Sequence, residues 1–282
     1  DGCDYKCAYC TIHYARGASR NIPIADIVKE AEEIVAAGQK EIVITGVNTG
    51  DFGRTTGEKF VDLLRALDRV EGVERYRISS IEPNLITDEI IELCARSPKF
   101  MPHFHIPLQS GSTKLLGAMR RRYTADKYRE RIQKIRELMP DSFLGVDVIV
   151  GFPGEGEEEF MESYRLLEEV GASFLHIFPF SERPGTPAVA MPNKVQSRIA
   201  TERVERLEEL SNRLHADFAR RYLGTERPVL FESTNRSGEM LGYTDNYLRV
   251  RAPYNERYIN QITTVRLIEL LDENDIRCEI VG

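Results

Sequence analysis

The stretch Phe143–Gly151, FLGVDVIVG, decides the fold. It is apolar at nearly every position, with Asp147 its one charged residue. A strand apolar on both faces must be covered on both, as in parallel sheets sheltered by helices. Toward the N-terminus, helical and strand patterns alternate: Ala125–Met139 (helix), His103–Leu108 (strand), Asp88–Arg96 (helix), Arg75–Ser80 (strand), Phe60–Val70 (helix), Glu41–Gly46 (strand) and Ile24–Ala37 (helix, stopped at Gly38). Toward the C-terminus an acidic helix over Glu157–Val170 precedes a strand over Phe174–Phe180. The alternation is that of an α/β domain with a parallel sheet. Gly46, Gly111 and Gly151 fall just past strand ends, where barrel-like α/β folds carry their ligand loops. A helix leads the five strands read here, so a strand ahead of Cys3 is expected and missing.

Pro184, Pro187 and Pro192 break the pattern, and Val195–Tyr222 then reads as one long charged helix. Beyond it the period changes to two: strands over Pro228–Ser233, Leu241–Tyr243, Leu248–Arg251 and Thr263–Leu271, with a hairpin turn at Asn235–Gly238. The expected organisation is an α/β core over residues 1–222 and a small all-β barrel or sandwich over residues 223–282.

The chain has 282 residues and a formal net charge of −7, which excludes a polybasic tail and leaves nucleic-acid contact to local patches. Residues 119–136 form one such patch, net +6, while residues 155–169 are net −6 and should face away from a polyanion. No run approaches the ~18 apolar residues of a membrane helix, and no signal-peptide pattern opens the chain.

Five cysteines occur, three of them as Cys3-x3-Cys7-x2-Cys10. An odd, clustered set points away from a disulfide framework and toward a reducing, cytoplasmic setting. Cys94 and Cys278 read as small buried hydrophobes. Three adjacent thiolates repel one another unless a metal neutralises them. Zinc, with His13 as fourth ligand, is one solution. A four-iron cluster is the other; its fourth iron lacks a protein ligand and is free to take a substrate or cofactor.

The run GCDYKCAYCTIHYARG (2–17), with Tyr9 before the third cysteine, resembles the signature of the radical S-adenosylmethionine (SAM) enzymes. RISSIEP (77–83), HIPLQSGS (105–112), MRRRYT (119–124), DVIVGFPGE (147–155) and FPFSERPGTPA (178–188) are similar to one branch, the methylthiotransferases. GYTDNYLRV (242–250) resembles the TRAM domain that such enzymes carry for RNA, and GVNTGDFG (46–53) looks most like those acting on threonylcarbamoyl-adenosine 37 of tRNA.

The resemblance implies a partial (β/α)6 barrel followed by a TRAM domain, and a [4Fe–4S] cluster on Cys3, Cys7 and Cys10. It also implies SAM on the open iron, tRNA as substrate, and an electron donor such as a flavodoxin or ferredoxin. The expected reaction is methylthiolation at adenosine C2: one SAM supplies a methyl group to sulfur, and another is cleaved reductively to a carbon radical. For SAM the resemblance points to Tyr9, Gly46, Asn48, Glu82, Gln109, Arg121, Asp147, Gly151 and Phe178. Arg121 would take the SAM carboxylate, since a guanidinium binds both oxygens at once. Glu82 would meet the amino end or the ribose, Gln109 and Asp147 the ribose hydroxyls, Gly46–Asn48 the amino group through backbone, and Gly151 and Phe178 the adenine. For RNA, Arg120, Arg122, Tyr243, Tyr247 and Arg249 are expected to meet phosphates and stack on bases. His103 and His105 face one side of a strand and read as structural.

Two departures stand out. The family's N-terminal domain, whose three further cysteines hold a second [4Fe–4S] cluster, has no counterpart in this sequence, and His13 stands where the family more often has proline. A fragment of a longer enzyme is the expectation. Kindred alternatives act on isopentenyl-adenosine 37 of tRNA or on a ribosomal protein; an alternative of another class is a zinc-stabilised RNA-binding module without catalysis.

Overall fold

A computed structural model describes residues 1–233, 238–271 and 274–281; the expected turn over 235–237 lies outside the described residues. Five parallel strands form the first part: β1 (Glu41–Ile44), β2 (Arg75–Ile78), β3 (His103–His105), β4 (Phe143–Val150) and β5 (Phe174–Pro179). They pair as β1–β2 and as β3–β4–β5, and the bridges Tyr76–Phe100 and Ser80–His105 join the two sheets into one open, curved wall. β4 is buried at every position but Asp147, as its apolar run requires. Helices α1 (Ile12–Arg16), which buries no residue, and α2 (Ile24–Ala36) precede β1, and between the strands α3 (Phe60–Asp68), α4 (Asp88–Arg96), α5 (Thr113–Ala118), α6 (Ala125–Leu138) and α7 (Glu157–Glu169) cover the outer face. Local signals fix their starts. Thr87 caps α4 by accepting from Ile90 N at 3.3 Å, and Thr124 caps α6 by accepting from Lys127 N at 3.2 Å. Ile90, Ile91 and Cys94 of α4 and Tyr128, Ile132 and Ile135 of α6 then enter the main core. Among the described residues no helix is long and apolar enough to cross a membrane.

Helix α8 (Ser197–Arg220) packs along β5 and leads into β6 (Glu226–Phe231), β7 (Glu239–Thr244), β8 (Arg249–Pro253), β9 (Ile262–Leu270) and β10 (Asp275–Ile280). These close into a barrel in the order β10-β8-β7-β6-β9, with Gly242 so tight against β6 that an added Cβ would lie 2.6 Å from the Leu230 carbonyl. Strand β10, of which the sequence analysis picked out only Cys278 as a buried hydrophobe, completes the closure by pairing with both β8 and β9. The two parts share a seam: Phe143 and Phe174, at the starts of β4 and β5, pack with Phe218 and Tyr247.

Candidate functional site

The Cys3–Cys10 segment is strapped across the wall's C-terminal rim by backbone bonds. Cys3 N donates to Gly17 O at 3.1 Å, Ala8 N to Met119 O at 2.9 Å, and Ala188 N to Ala8 O at 2.9 Å. Each sulfur then receives one hydrogen bond: Cys3 from Tyr5 N (3.4 Å), Cys10 from Ile12 N (3.4 Å), Cys7 from Arg121 Nη1 (3.3 Å). Burial pushes the Cys3 and Cys7 thiols up, and at Cys7 the Arg121 guanidinium works against that shift. Such thiols become thiolates by binding a metal.

Three sulfurs with no fourth cysteine beside them suit a multi-iron cluster whose remaining iron is open, whereas a structural zinc site takes four protein ligands. His13, the other zinc candidate, lies instead against Tyr14, ring centroids 3.9 Å apart.

Arg121 is the hub beside this loop. Arg120 at φ +60° turns the chain after α5, and the Arg121 side chain, 4% exposed, passes inward. Its Nε donates to Tyr123 Oη at 3.1 Å, Nη1 reaches Tyr9 Oη at 3.4 Å, and Nη2 pairs with Glu82. Tyr123 Oη in turn donates to the Pro107 and Leu108 carbonyls (2.8 and 2.9 Å), tying Arg121 to the loop after β3. Burial raises the Glu82 carboxyl above its ordinary value, and Arg121 and Arg122 oppose the shift. A facing carboxylate and guanidinium beside Cys7 complement the ammonium and carboxylate of an amino acid.

Beyond β1, Gly46 and Asn48 line a groove with Thr49; both polar atoms of the Asn48 amide are buried and lack a hydrogen-bond partner. Buried amide atoms of this kind are left for water or a ligand to satisfy. Gln109 takes a left-handed conformation (φ +64°), and its backbone spans β4 by donating to Asp147 O (2.8 Å) and accepting from Ile149 N (2.9 Å). Gly151, at φ +81°, donates to Glu155 Oε1 at 2.9 Å and so starts the turn after β4. Phe178 is in register with Ile149, which clusters with Ala8 and Phe152; Tyr9 meets Phe152 edge-on at 6.4 Å. Asp147 faces the interior lower down, with Oδ1 2.6 Å from His105 Nε2.

The basic patch expected over residues 119–136 is not a free strip. Arg129 pairs with Glu169, Arg131 with Asp88, and Arg136 donates to the Ser142 and Gly171 carbonyls. Of the residues expected to meet RNA, Arg120 and Arg122 are both exposed, Arg122 with its guanidinium over the Tyr5 ring at 3.9 Å. Tyr247 is clasped between Tyr243 (4.8 Å) and His103 (4.1 Å), and Arg249 pairs with fully buried Asp275. The stacking surface expected of Tyr247 is therefore given over to the seam. The sequence reading missed Tyr123, silent beside the arginines of MRRRYT, and His176, which period-two counting from Phe174 and Phe178 would have turned inward.

This chain belongs to the radical SAM superfamily, whose model matches residues 1–167; residues 220–273 match the TRAM domain. The superfamily implies a [4Fe–4S] cluster and SAM, and the three-cysteine loop with Arg121 and Glu82 fits them. Among its relatives, the threonylcarbamoyladenosine tRNA methylthiotransferase MtaB of Bacillus subtilis is 43% identical over 275 residues, covering 95% of this chain and 61% of that protein. The tRNA-2-methylthio-N(6)-dimethylallyladenosine synthase of Wolinella succinogenes is 38% identical, covering 95% of this chain and 63% of that protein. The chain thus spans less than two thirds of these relatives. The radical SAM methyltransferase TsrM of Kitasatospora setae, solved with cobalamin and a [4Fe–4S] cluster, shares the fold at TM-score 0.56 and 19% identity, over 66% of this chain and 37% of that one.

Proposed function

We propose that this chain is the SAM-binding core, residues 1–222, and TRAM domain, residues 223–282, of a cytoplasmic methylthiotransferase acting on C2 of threonylcarbamoyl-adenosine 37 in tRNA. The observation that carries the reading is Arg121, held between Cys7 Sγ and Glu82 at a three-cysteine loop with no fourth cysteine beside it.

Cys3, Cys7 and Cys10 would hold the cluster; when bound, cluster and SAM supply one-electron radical chemistry. Arg121 would hold the SAM carboxylate and Glu82, its present partner, the ammonium. Gly46 and the unpartnered Asn48 amide receive the same end of the ligand. The Gln109 loop would meet the ribose, and Tyr9, Gly151 and Phe178 would border the adenine beside Phe152. Asp147, already engaged by His105, is left out of the ribose set. Arg120, Arg122 and the outer edge of Tyr243 would face the RNA, with Tyr247 and Arg249 shaping that surface from behind. The region that the longer relatives have beyond this chain would carry the second cluster, and a flavodoxin or ferredoxin would deliver electrons.

Nucleoside mass spectrometry of tRNA from a deletion strain tests the substrate. Loss of the methylthio group from threonylcarbamoyl-adenosine is expected. Loss from the isopentenyl nucleoside instead would favour the second reading, which the Wolinella relative supports. Anaerobic reconstitution tests the class: iron uptake abolished by Cys7→Ala is expected, whereas stoichiometric zinc without iron would defeat it.

A further inference from the structure

Below the rim, the interior of the wall carries a second group of ligand-type side chains. His105 lies on β3, Asp147 on β4 and His176 on β5; His105 is in register with Gly145, and Asp147 with His176. Because side chains alternate along a strand, these registers turn all three inward at neighbouring levels. We propose that His105, Asp147 and His176 bind one divalent transition-metal ion of the zinc or iron(II) type, separate from the three-cysteine loop.

The argument is geometric first. One ligand atom from each residue lies within 4.8 Å of the other two, and no other group of three or more His, Cys, Asp or Glu side chains among the described residues converges so closely. Metal bonds to imidazole and carboxylate measure about 2.0–2.2 Å, so modest side-chain rotation brings the three onto one centre. His105 Nε2 is already 2.6 Å from Asp147 Oδ1, and the two imidazoles stack with centroids 5.0 Å apart. Gly145, opposite His105, has no side chain to occupy the space between the rings. Among the described residues His176 makes no hydrogen bond to protein, so its ring nitrogens are available.

The donor set narrows the ion. Two imidazoles and a carboxylate without thiolate suit zinc or iron(II) and disfavour copper(I). Three protein ligands leave positions open toward the interior, where an oxygen or nitrogen of a bound molecule can complete the sphere. His103, stacked on Phe143 and buried, closes the space on the side of the β-barrel. The site is independent of which nucleoside is the substrate.

The test uses the full-length protein, anaerobically loaded with iron and sulfide, equilibrated with zinc and desalted. One zinc per chain beyond the iron is expected, with a zinc K-edge spectrum showing only nitrogen and oxygen neighbours. In His176→Ala, zinc retention should fall at least tenfold while iron content and cluster absorbance stay unchanged. Asp147→Asn, which keeps the side chain's shape, should do the same. The proposal is overturned by zinc absent from the wild type, by equal retention in both variants, or by sulfur in the zinc shell, which would place the ion in the cysteine loop.

Discussion

Arg77 of β2 donates from Nη2 to the carbonyl oxygen of Thr244 at 2.7 Å, so a strand of the parallel wall is hydrogen-bonded to the backbone of the appended barrel. Its Nη1 reaches Asp245 O and its Nε reaches Glu41 Oε1, both at 2.9 Å. Arg75 does likewise with Tyr243 O (3.2 Å) and Pro228 O (2.8 Å). Both arginines are buried, and the planar fork of a guanidinium satisfies several carbonyls at once. The seam is therefore polar at its centre with aromatic rings around it, which fixes the barrel's orientation as well as its contact.

Replacing Arg77 with methionine keeps the stem and removes the fork, leaving Glu41 and two carbonyls without their donor. A loss of about 3–5 kcal/mol is expected in urea unfolding, the cost of breaking a buried pair by removing one partner. Limited proteolysis should then cut between α8 and β6 faster than in the wild type. A variant within 1 kcal/mol of wild type would show that water replaces the guanidinium at no cost.

Arg121 gives a prediction about binding. Arg121→Lys retains the charge but cannot hold Tyr123, Tyr9 and a carboxylate together. Removing charge-assisted hydrogen bonds worth about 1.5–3 kcal/mol should weaken SAM about 10- to 100-fold in calorimetric titration of the cluster-loaded protein. Tyr123→Phe, which removes the Nε acceptor and the hydroxyl's bonds to the Pro107 and Leu108 carbonyls but leaves the guanidinium in place, should have a smaller effect. An unchanged Kd in Arg121→Lys would remove the carboxylate role.

The α/β core was legible because its strands are apolar runs and its helices carry one apolar face, signals that need no partner to be read. The cysteine loop was legible for a similar reason, its spacing being local. β10 escaped because charged Asp275, Arg277 and Glu279 alternate with its apolar residues, and fully buried Asp275 reads as polar until Arg249 and Arg251 are seen around it. Arg75 and Arg77 look solvent-facing for the same reason: their acceptors come from residues some 150 to 170 positions later. The basic run on α6 misled because composition counts charges and not partners; Glu169, which neutralises Arg129, is 40 residues away. What the sequence concealed throughout is long-range electrostatic pairing.

The turn after β4 rests on another such pair. Arg203 of α8 donates from Nη1 to Glu155 Oε1 at 2.7 Å, and the same oxygen accepts from Gly151 N. The two side chains are 6% and 2% exposed. Burial pushes the Glu155 carboxyl up, while the Gly151 amide and Arg203 hold it down. Arg203→Met should cost about 3–5 kcal/mol by leaving a buried carboxylate unpaired. Adding Glu155→Gln should recover more than about 1 kcal/mol, the coupling expected of residues in contact. Strict additivity in this double-mutant cycle would mean that the pair does not hold the turn.

Acid should loosen the seam before it unfolds the core. His103 and His215 both lie against Phe143, with ring centroids 5.9 Å from it in each case. Burial drives both imidazoles below their ordinary pKa; the charge of Arg77 adds to the shift at His103, and at His215 a hydrogen bond to the Ser173 carbonyl opposes it. The folded chain therefore refuses protons that the unfolded chain accepts once the pH falls below about 6.5, the ordinary histidine value. Stability present above that pH is lost on going down through it, by up to about 1.4 kcal/mol per pH unit for each histidine until the lower folded-state pKa is reached. Urea midpoints measured from pH 7.5 to 5.5 should fall accordingly. His103→Phe, which cannot titrate, should reduce the slope, with His215 and His176 keeping the remainder. A slope unchanged in that variant would assign the acid sensitivity to groups away from the seam.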